Sequence, residues 1–312
     1  MNRYTITNTN DIAQIACGSY RALLLHTTGK VYNISRTPIS NVSNIVQIAC
    51  GYDHNILLSA DGNVYGYGKN NYSQLALPNV QYDVPTIISD VKNIVYIAST
   101  NYYTMFLTSD NRVYACGNHP TTQLGLLDKE CRTPTLLSDI ENITQIACGD
   151  YHTLFLHADG RVYGLGNNKY GTLGLTDNRY DIPTLIPNTY NIVQVSCNTR
   201  HSLFLCADGD VYGCGSNEYN QLGLPNKQYN IPTKIPNVYD IVQVSCGENH
   251  TLFLSSDGRV YGVGDNAYGQ LGMKDKEYKV PTIIPGMENI KNISSGDDYN
   301  MFLNANNDIC IT

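Results

Sequence analysis

Four histidines, His54, His152, His201 and His250, and five cysteines, Cys17, Cys50, Cys148, Cys197 and Cys246, are the groups of this sequence best suited to act as bases, nucleophiles or metal ligands. Each of the four His follows one of these Cys by four residues. A metal centre or a nucleophile-base pair needs such groups brought together. Here no CxxC or HxxxH spacing occurs, and no acid and nucleophile recur beside any His. The same two positions also tolerate Ser99 and Ser295 in place of Cys, and Arg21, Tyr103 and Tyr299 in place of His. The first position therefore asks for a small buried residue, a role that suits Cys. The second asks for a polar side chain that satisfies backbone groups of the tight turn before it. Gly66-x-Gly68, Gly164-x-Gly166, Gly213-x-Gly215 and Gly262-x-Gly264 lack the third Gly and the following helix of a dinucleotide site, so they read as strand exits. No catalytic set, cofactor or metal site emerges, and the chain reads as non-enzymatic.

These residues are positioned by a repeat. Cys17, Cys50, Ser99, Cys148, Cys197, Cys246 and Ser295 are separated by 33 residues and then by five intervals of 49. A fixed period of this length marks units that cannot bury their apolar faces alone. Each unit carries four strand signals. Pro183 to Ile186 reads as a strand opened by proline, with counterparts at Pro85, Pro134, Pro232 and Pro281. Ile192 to Cys197 alternates like a pleated strand, and His201 to Leu205 is nearly continuously apolar, implying burial on both faces. Asp-Gly at 61–62, 159–160, 208–209 and 257–258 predicts a two-residue type I′ turn into the Val-Tyr strand. The expected fold is all-β, a seven-bladed β-propeller with four antiparallel strands per blade. A linear β-solenoid fits less well, since its rungs are shorter, about 20–30 residues, and its ends need caps. Neighbouring units are expected to hold the cysteines beyond the ~7 Å Cα reach of a disulfide. Arg3 to Ile6 supplies a strand at the N-terminus and Asp308 to Thr312 one at the C-terminus. The spacing leaves open whether each Pro-type strand joins its own blade or latches the preceding one.

Strand alternation puts the turn after each Cys and the long connection after each Val-Tyr strand on one face. The turns carry Ser19-Tyr20, Tyr52-Asp53, Asn101-Tyr102, Asp150-Tyr151, Thr199-Arg200, Glu248-Asn249 and Asp297-Asp298. The connections carry Tyr72, Tyr170, Tyr219 and Tyr268. Tyrosines with adaptable polar neighbours suit protein recognition, because Tyr offers a large rigid contact with a polar tip. Tyr20, Tyr52, Asp53, Asn101, Tyr102, Asp150, Tyr151, Arg200, Glu248, Asn249, Asp297 and Asp298 are accordingly the candidate partner-binding residues. Two irregularities mark candidate docking points, with drift in a tolerated blade as the alternative. Asn33 to Ser43 omits the long connection and predicts a notch near Arg36, and the third unit carries Ser99-Thr100, Asp110-Asn111, Cys116, His119-Pro120 and Cys131-Arg132.

Gly213-Cys214-Gly215-Ser216-Asn217-Glu218-Tyr219-Asn220-Gln221-Leu222-Gly223-Leu224, with the preceding Cys-Gly-x-x-His-x-Leu-x-Leu and Asp-Gly-x-Val-Tyr-Gly-x-Gly patterns, resembles the repeat of the regulator of chromosome condensation family. The resemblance spans the chain and implies a seven-bladed propeller. It implies less about function, because the family includes a nucleotide exchange factor, chromatin-docking proteins, ultraviolet sensors, ubiquitin-ligase targeting proteins and enzyme inhibitors. The exchange factor's inserted wedge has no counterpart within five even intervals, its basic tail is reduced to Arg3, and tryptophan-based light sensing is excluded by the absence of Trp.

Length and composition agree with one repeat domain over residues 1–312. A net charge of −7 with no Lys/Arg cluster argues against nucleic acid and anionic membranes as partners. Without an apolar leader or membrane-length run, the chain reads as cytoplasmic or nuclear and not secreted. A closed ring reads as a monomer. The leading expectation is a scaffold that binds a partner protein on the loop face. The alternative is a guanine-nucleotide exchange factor for a small GTPase, using Asp53, Asp150, Glu248, Asp297 and Asp298.

Overall fold

The computed structural model describes residues 4–7, 9, 11–118, 124, 126 and 130–312. Its strands form seven antiparallel sheets, six of four strands and one of three. Blade 4 shows the common plan. Ile143–Cys148 lines the channel, His152–His157 and Val162–Asn167 follow, and Arg179–Leu185 lies outermost. The second strand is buried on both faces, as its apolar run requires, because neighbouring blades pack against it. Phe106, Phe155, Phe204, Phe253 and Phe302, spaced by 49 residues, are all fully buried. Phe204 of blade 5 packs with Leu154, Leu156 and Val162 of blade 4, so the core lies between blades rather than within them.

The Pro-type strand belongs to the preceding blade. Tyr4–Ile6 pairs with Ile309–Ile311, so the N-terminal strand becomes the outer strand of blade 7 and closes the ring. Proline does not open this strand. Pro183 is the fifth residue of Arg179–Leu185, where the register slips between Gly164 and Gly166. An edge strand with a bulge is where a missing N–H is tolerated. Blade 1 lacks a full outer strand. The chain turns tightly from Asn33 to Thr37, and a single bridge, Tyr32 to Pro38, covers that edge. Arg36, where a notch was expected, is exposed and donates to the Thr7 carbonyl.

The Asp-Gly turns are also built differently from the expectation. Ser59 N–H bonds Asn63 O at 2.9 Å and Gly62 N–H bonds Ser59 O at 3.0 Å, with Gly62 at φ 79° but no positive φ at Asp61. A single left-handed residue after an ordinary turn matches a type I turn with a glycine bulge, not a type I′ pair. Asn111 and Asn307 replace this glycine at φ 63° and 64°.

Blades are joined by a clamp at the channel wall. Gln194 Nε2 donates to Val244 O at 3.1 Å, and Val244 N–H donates to Gln194 Oε1 at 2.9 Å. Gln14, Gln47, Gln145 and Gln243 hold the next blade in the same way. Blades 3 and 7 have Tyr96 and Asn292 at this position. There a tyrosine replaces the repeated His and spans the gap, with Tyr103 OH donating to Gly149 O at 2.8 Å and Tyr299 OH to Arg21 O at 2.7 Å.

The ten cysteines are free thiols. At the channel neck adjacent inner strands approach closely: a Cβ added to Gly51 would lie 2.5 Å from Thr100 O. Glycine is required there by the His54 ring of its own blade, 2.2 Å from such a Cβ, together with the convergence of the next blade. We expect Gly51→Ala to cost about 1–3 kcal/mol by overpacking. Gln194→Leu, which strands the Val244 amide, should also cost about 1–3 kcal/mol. Urea unfolding of each variant beside the unmodified chain checks both, and an unchanged midpoint for Gln194→Leu would show that the clamp contributes nothing.

Candidate functional site

Asparagines that the sequence reading passed over build the long connections. Asn168 is buried; its Nδ2 donates to Leu175 O and Asp177 O, both at 2.7 Å, while its Oδ1 accepts from Leu173 N–H at 2.8 Å. Asn70, Asn217 and Asn266 repeat this arrangement. Their recurrence at 49-residue spacing was visible, but only the fold shows that one amide ties three points of a loop. The connection thus held lies beside the short turn of its own blade, as the bond from Lys69 N–H to Asp53 O shows. The two sets of candidate residues therefore share one face.

That face has two sectors. Across blades 1 to 3 it is aromatic. Tyr20, 73% exposed, meets Tyr52 edge to face with ring centroids 4.8 Å apart, and Tyr72 meets Tyr102 in the same manner at 5.2 Å. Tyr52, Tyr72 and Tyr102 line a cavity of about 330 Å³, with Asp53, Lys69, Asn71, Gln74 and Asn101 completing its wall. Lys69 Nζ sits 2.6 Å from Asp53 Oδ2. Two repeats further on, Arg200 occupies the place of Tyr102 and lies 4.9 Å over the ring of Tyr170. Tyr219 and Tyr268 stand exposed, the latter at 79%.

Across blades 6 and 7 the face is acidic. Partial burial raises the Glu248 carboxyl above its usual range, and the charges of Asp297, Asp298 and Asp150 raise it further. Asp298 is raised by burial and then by Asp297 and Asp265. Asn249 lies at this turn, its carbonyl accepting from Asp265 N–H at 2.9 Å. Asp150 is different. It is 7% exposed, and its carboxylate accepts from Thr100 Oγ1 at 2.9 Å and Thr199 Oγ1 at 3.1 Å, tying blades 3, 4 and 5 together. It is therefore a brace at the channel mouth rather than a displayed contact, and Tyr151 beside it is only half-buried. Of the irregular third unit, Cys116 and Cys131 are buried and Arg132 is exposed, while His119 and Pro120 lie outside the described residues.

The repeated histidines do not serve the turn before them. His152 Nε2 lies 2.8 Å from Ser202 Oγ, His201 Nε2 3.0 Å from Thr251 Oγ1 and His250 Nε2 2.8 Å from Asn300 Oδ1, each in the next blade. Ser202 Oγ in turn donates to Thr172 O at 2.7 Å, so it must accept from Nε2–H. His152 and Ser202 have the separation of a base and nucleophile, but both are fully buried and the hydroxyl proton is committed to a carbonyl. The pair is a structural link. Burial lowers the pKa of His54, His152 and His201 to about 3, and that of His250 below its usual value.

A ring of antiparallel blades with loops gathered on one face defines a β-propeller. Residues 128–311 match the RCC1-like domain, and residues 45–74 and 61–107 match the regulator of chromosome condensation (RCC1) repeat. The chain belongs to the RCC1-like family. Human WBSCR16 is similar in structure at 20% identity and TM-score 0.84, covering 99% of this chain and 89% of that one. Prp20p from Saccharomyces cerevisiae, described with its binding to Gsp1p and histones, is similar at 21% identity and TM-score 0.82, covering 96% and 82%. No curated protein matches the chain significantly in sequence.

The histidines generate a pH dependence. Their folded pKa values lie below the unfolded value near 6.5, so unfolded chains bind the extra protons and stability falls as pH drops from about 6.5 toward about 3. Each contributes a slope of about 1.4 kcal/mol per pH unit where its unfolded form is protonated. Between about pH 6 and 4.5, we expect His201→Gln, whose amide nitrogen stands in for Nε2, to reduce the measured slope by about one proton. Urea titrations across that window check it, and an unchanged slope would show that His201 takes up a proton in the folded protein.

Proposed function

We propose that this chain is a protein-interaction propeller that binds a partner protein through the loop face. The carrying observation is the aromatic sector, where Tyr52, Tyr72 and Tyr102 line a cavity and Tyr20 packs edge to face on Tyr52. Exposed rings held by edge-to-face contacts lose little entropy on binding and bring large contact areas. Prp20p, a structural relative, is described as binding Gsp1p and histones and, in a second structure, as bound to Kap60; this supports a protein as the ligand class here.

A second reading, guanine-nucleotide exchange on a small GTPase, is favoured by the acidic sector at Glu248, Asp297 and Asp298, which would face a bound nucleotide's phosphate and Mg²⁺ region. Against it stands the even spacing of the blades, which leaves no inserted wedge.

Crosslinking tests the loop face, and nucleotide release separates the two readings. A photo-crosslinking residue at Tyr219 or Asn101 should capture a discrete partner in cells, whereas one at Tyr190 or Tyr239, exposed on the opposite face, should not; capture only from the opposite face would sink the proposal. Fluorescent-nucleotide release from a panel of small GTPases should be unchanged by this protein. Strong acceleration on one of them, lost in Asp297→Asn with Asp298→Asn, would install the exchange reading instead.

A further inference from the structure

The cavity of the aromatic sector has a composition that selects a ligand. Its walls include Tyr52, Tyr72 and Tyr102, and its one carboxylate is Asp53. Lys69, the one cation of the lining, is 2.6 Å from Asp53 Oδ2, so the two charges cancel. Lys69 is half exposed, and an ion pair of that kind is weak. Lys69 engages Asp53 through Oδ2, leaving Oδ1 as the acceptor on the cavity side of the pair. Beyond this neutral pair, Asp297 acts on Tyr52 and Asp150 on Tyr102, while Arg21, next to Tyr20, acts on His54 and Tyr67 beneath the pocket. Aromatic faces under a net negative field suit a cation, and a planar one best fills a slot between rings.

The chain itself supplies the precedent. At the equivalent place two repeats on, the connection tyrosine, Tyr170, receives a guanidinium, that of Arg200, from the adjacent turn. Here Tyr102 replaces that arginine, so the guanidinium is missing from the lining while the connection tyrosine remains, and Asp53, in the place of Tyr151, adds a carboxylate. At about 330 Å³ the cavity is at the small end of ligand pockets, sized for one side chain rather than a cofactor.

We propose that the pocket formed by Tyr52, Asp53, Tyr72 and Tyr102 receives an arginine side chain of the partner protein. The guanidinium lies between the rings of Tyr52 and Tyr72 and donates to Asp53, and Lys69 swings into solvent. This rests on the reading that the loop face binds a protein, and it names what that partner presents.

The test uses the full chain with tyrosine rings carbon-13 labelled, titrated with acetyl-Gly-Gly-Arg-Gly-Gly-amide and with the same peptide carrying citrulline, the neutral isostere. Saturable shifts of the Tyr52 and Tyr72 rings by the arginine peptide, with citrulline at least about tenfold weaker, are expected; tenfold corresponds to about 1.4 kcal/mol. Tyr72→Leu and Asp53→Asn should each weaken binding about tenfold, Tyr72→Phe should retain it, and Tyr268→Ala, on a distant blade, should leave it unchanged. Equal binding of citrulline, no saturable shift, insensitivity to both pocket variants, or tighter binding of a trimethyl-lysine peptide would each overturn the assignment. Should the peptide fail while crosslinking from Tyr219 or Asn101 still captures a partner, the pocket assignment falls alone; should both fail, the binding-face reading falls with it.

Discussion

Each blade of this propeller satisfies a backbone edge of its neighbour, and the ring depends on that exchange. The inner strands cannot complete a ladder toward the channel, so their amides and carbonyls need partners from elsewhere. Gln14, Gln47, Gln145, Gln194 and Gln243 supply both a donor and an acceptor to one residue of the next blade. A stranded backbone group would cost more than the bond contributes, so a blade cannot shift past its neighbour without breaking the clamp. Apolar packing between blades, with one phenylalanine in each of five of them, then fills space that the clamp has already registered.

Buried histidines form a second circle of blade-to-blade links, nearer the loop face. A hydroxyl or amide of the next blade accepts from Nε2 and in turn donates to a connection carbonyl, so a loop in one blade is fastened by side chains of two. The loop face is thus rigid at its base although its tips are polar and exposed. Rigid bases allow Tyr20, Tyr52, Tyr72 and Tyr102 to stand in fixed edge-to-face pairs instead of collapsing onto the surface. Presentation of aromatic side chains from a stiff frame is what gives a binding surface its specificity at low entropic cost.

Blades 3 and 7 replace both circles at once. Both carry Ser where the others carry Cys, both lose the clamping Gln, and both carry Tyr in place of His or Arg21. A tyrosine reaches the neighbouring turn carbonyl directly, through Tyr103 OH to Gly149 O and Tyr299 OH to Arg21 O. The three changes coincide because one long side chain performs the joining that two shorter ones perform elsewhere. The coincidence was present in the repeat, yet its meaning required knowing that these positions face the next blade.

Periodicity and turn residues alone determined the number of blades, the order of strands and the face on which the variable residues gather, because a strand's direction and its two-residue alternation are local properties. They did not determine which blade owns the Pro-type strand, since Tyr4–Ile6 and Ile309–Ile311 are joined only when the ring closes. Nor did they determine the contacts between repeats. The glycine neck, the interblade reach of His152 and the burial of Asp150 all arise from the convergence of strands far apart in the chain. The pairing of Tyr72 with Tyr102 and of Tyr170 with Arg200 is of the same kind. A repeat describes each unit in isolation, whereas the angle between blades sets which side chains of one unit meet those of the next, and that angle is a property of the closed ring.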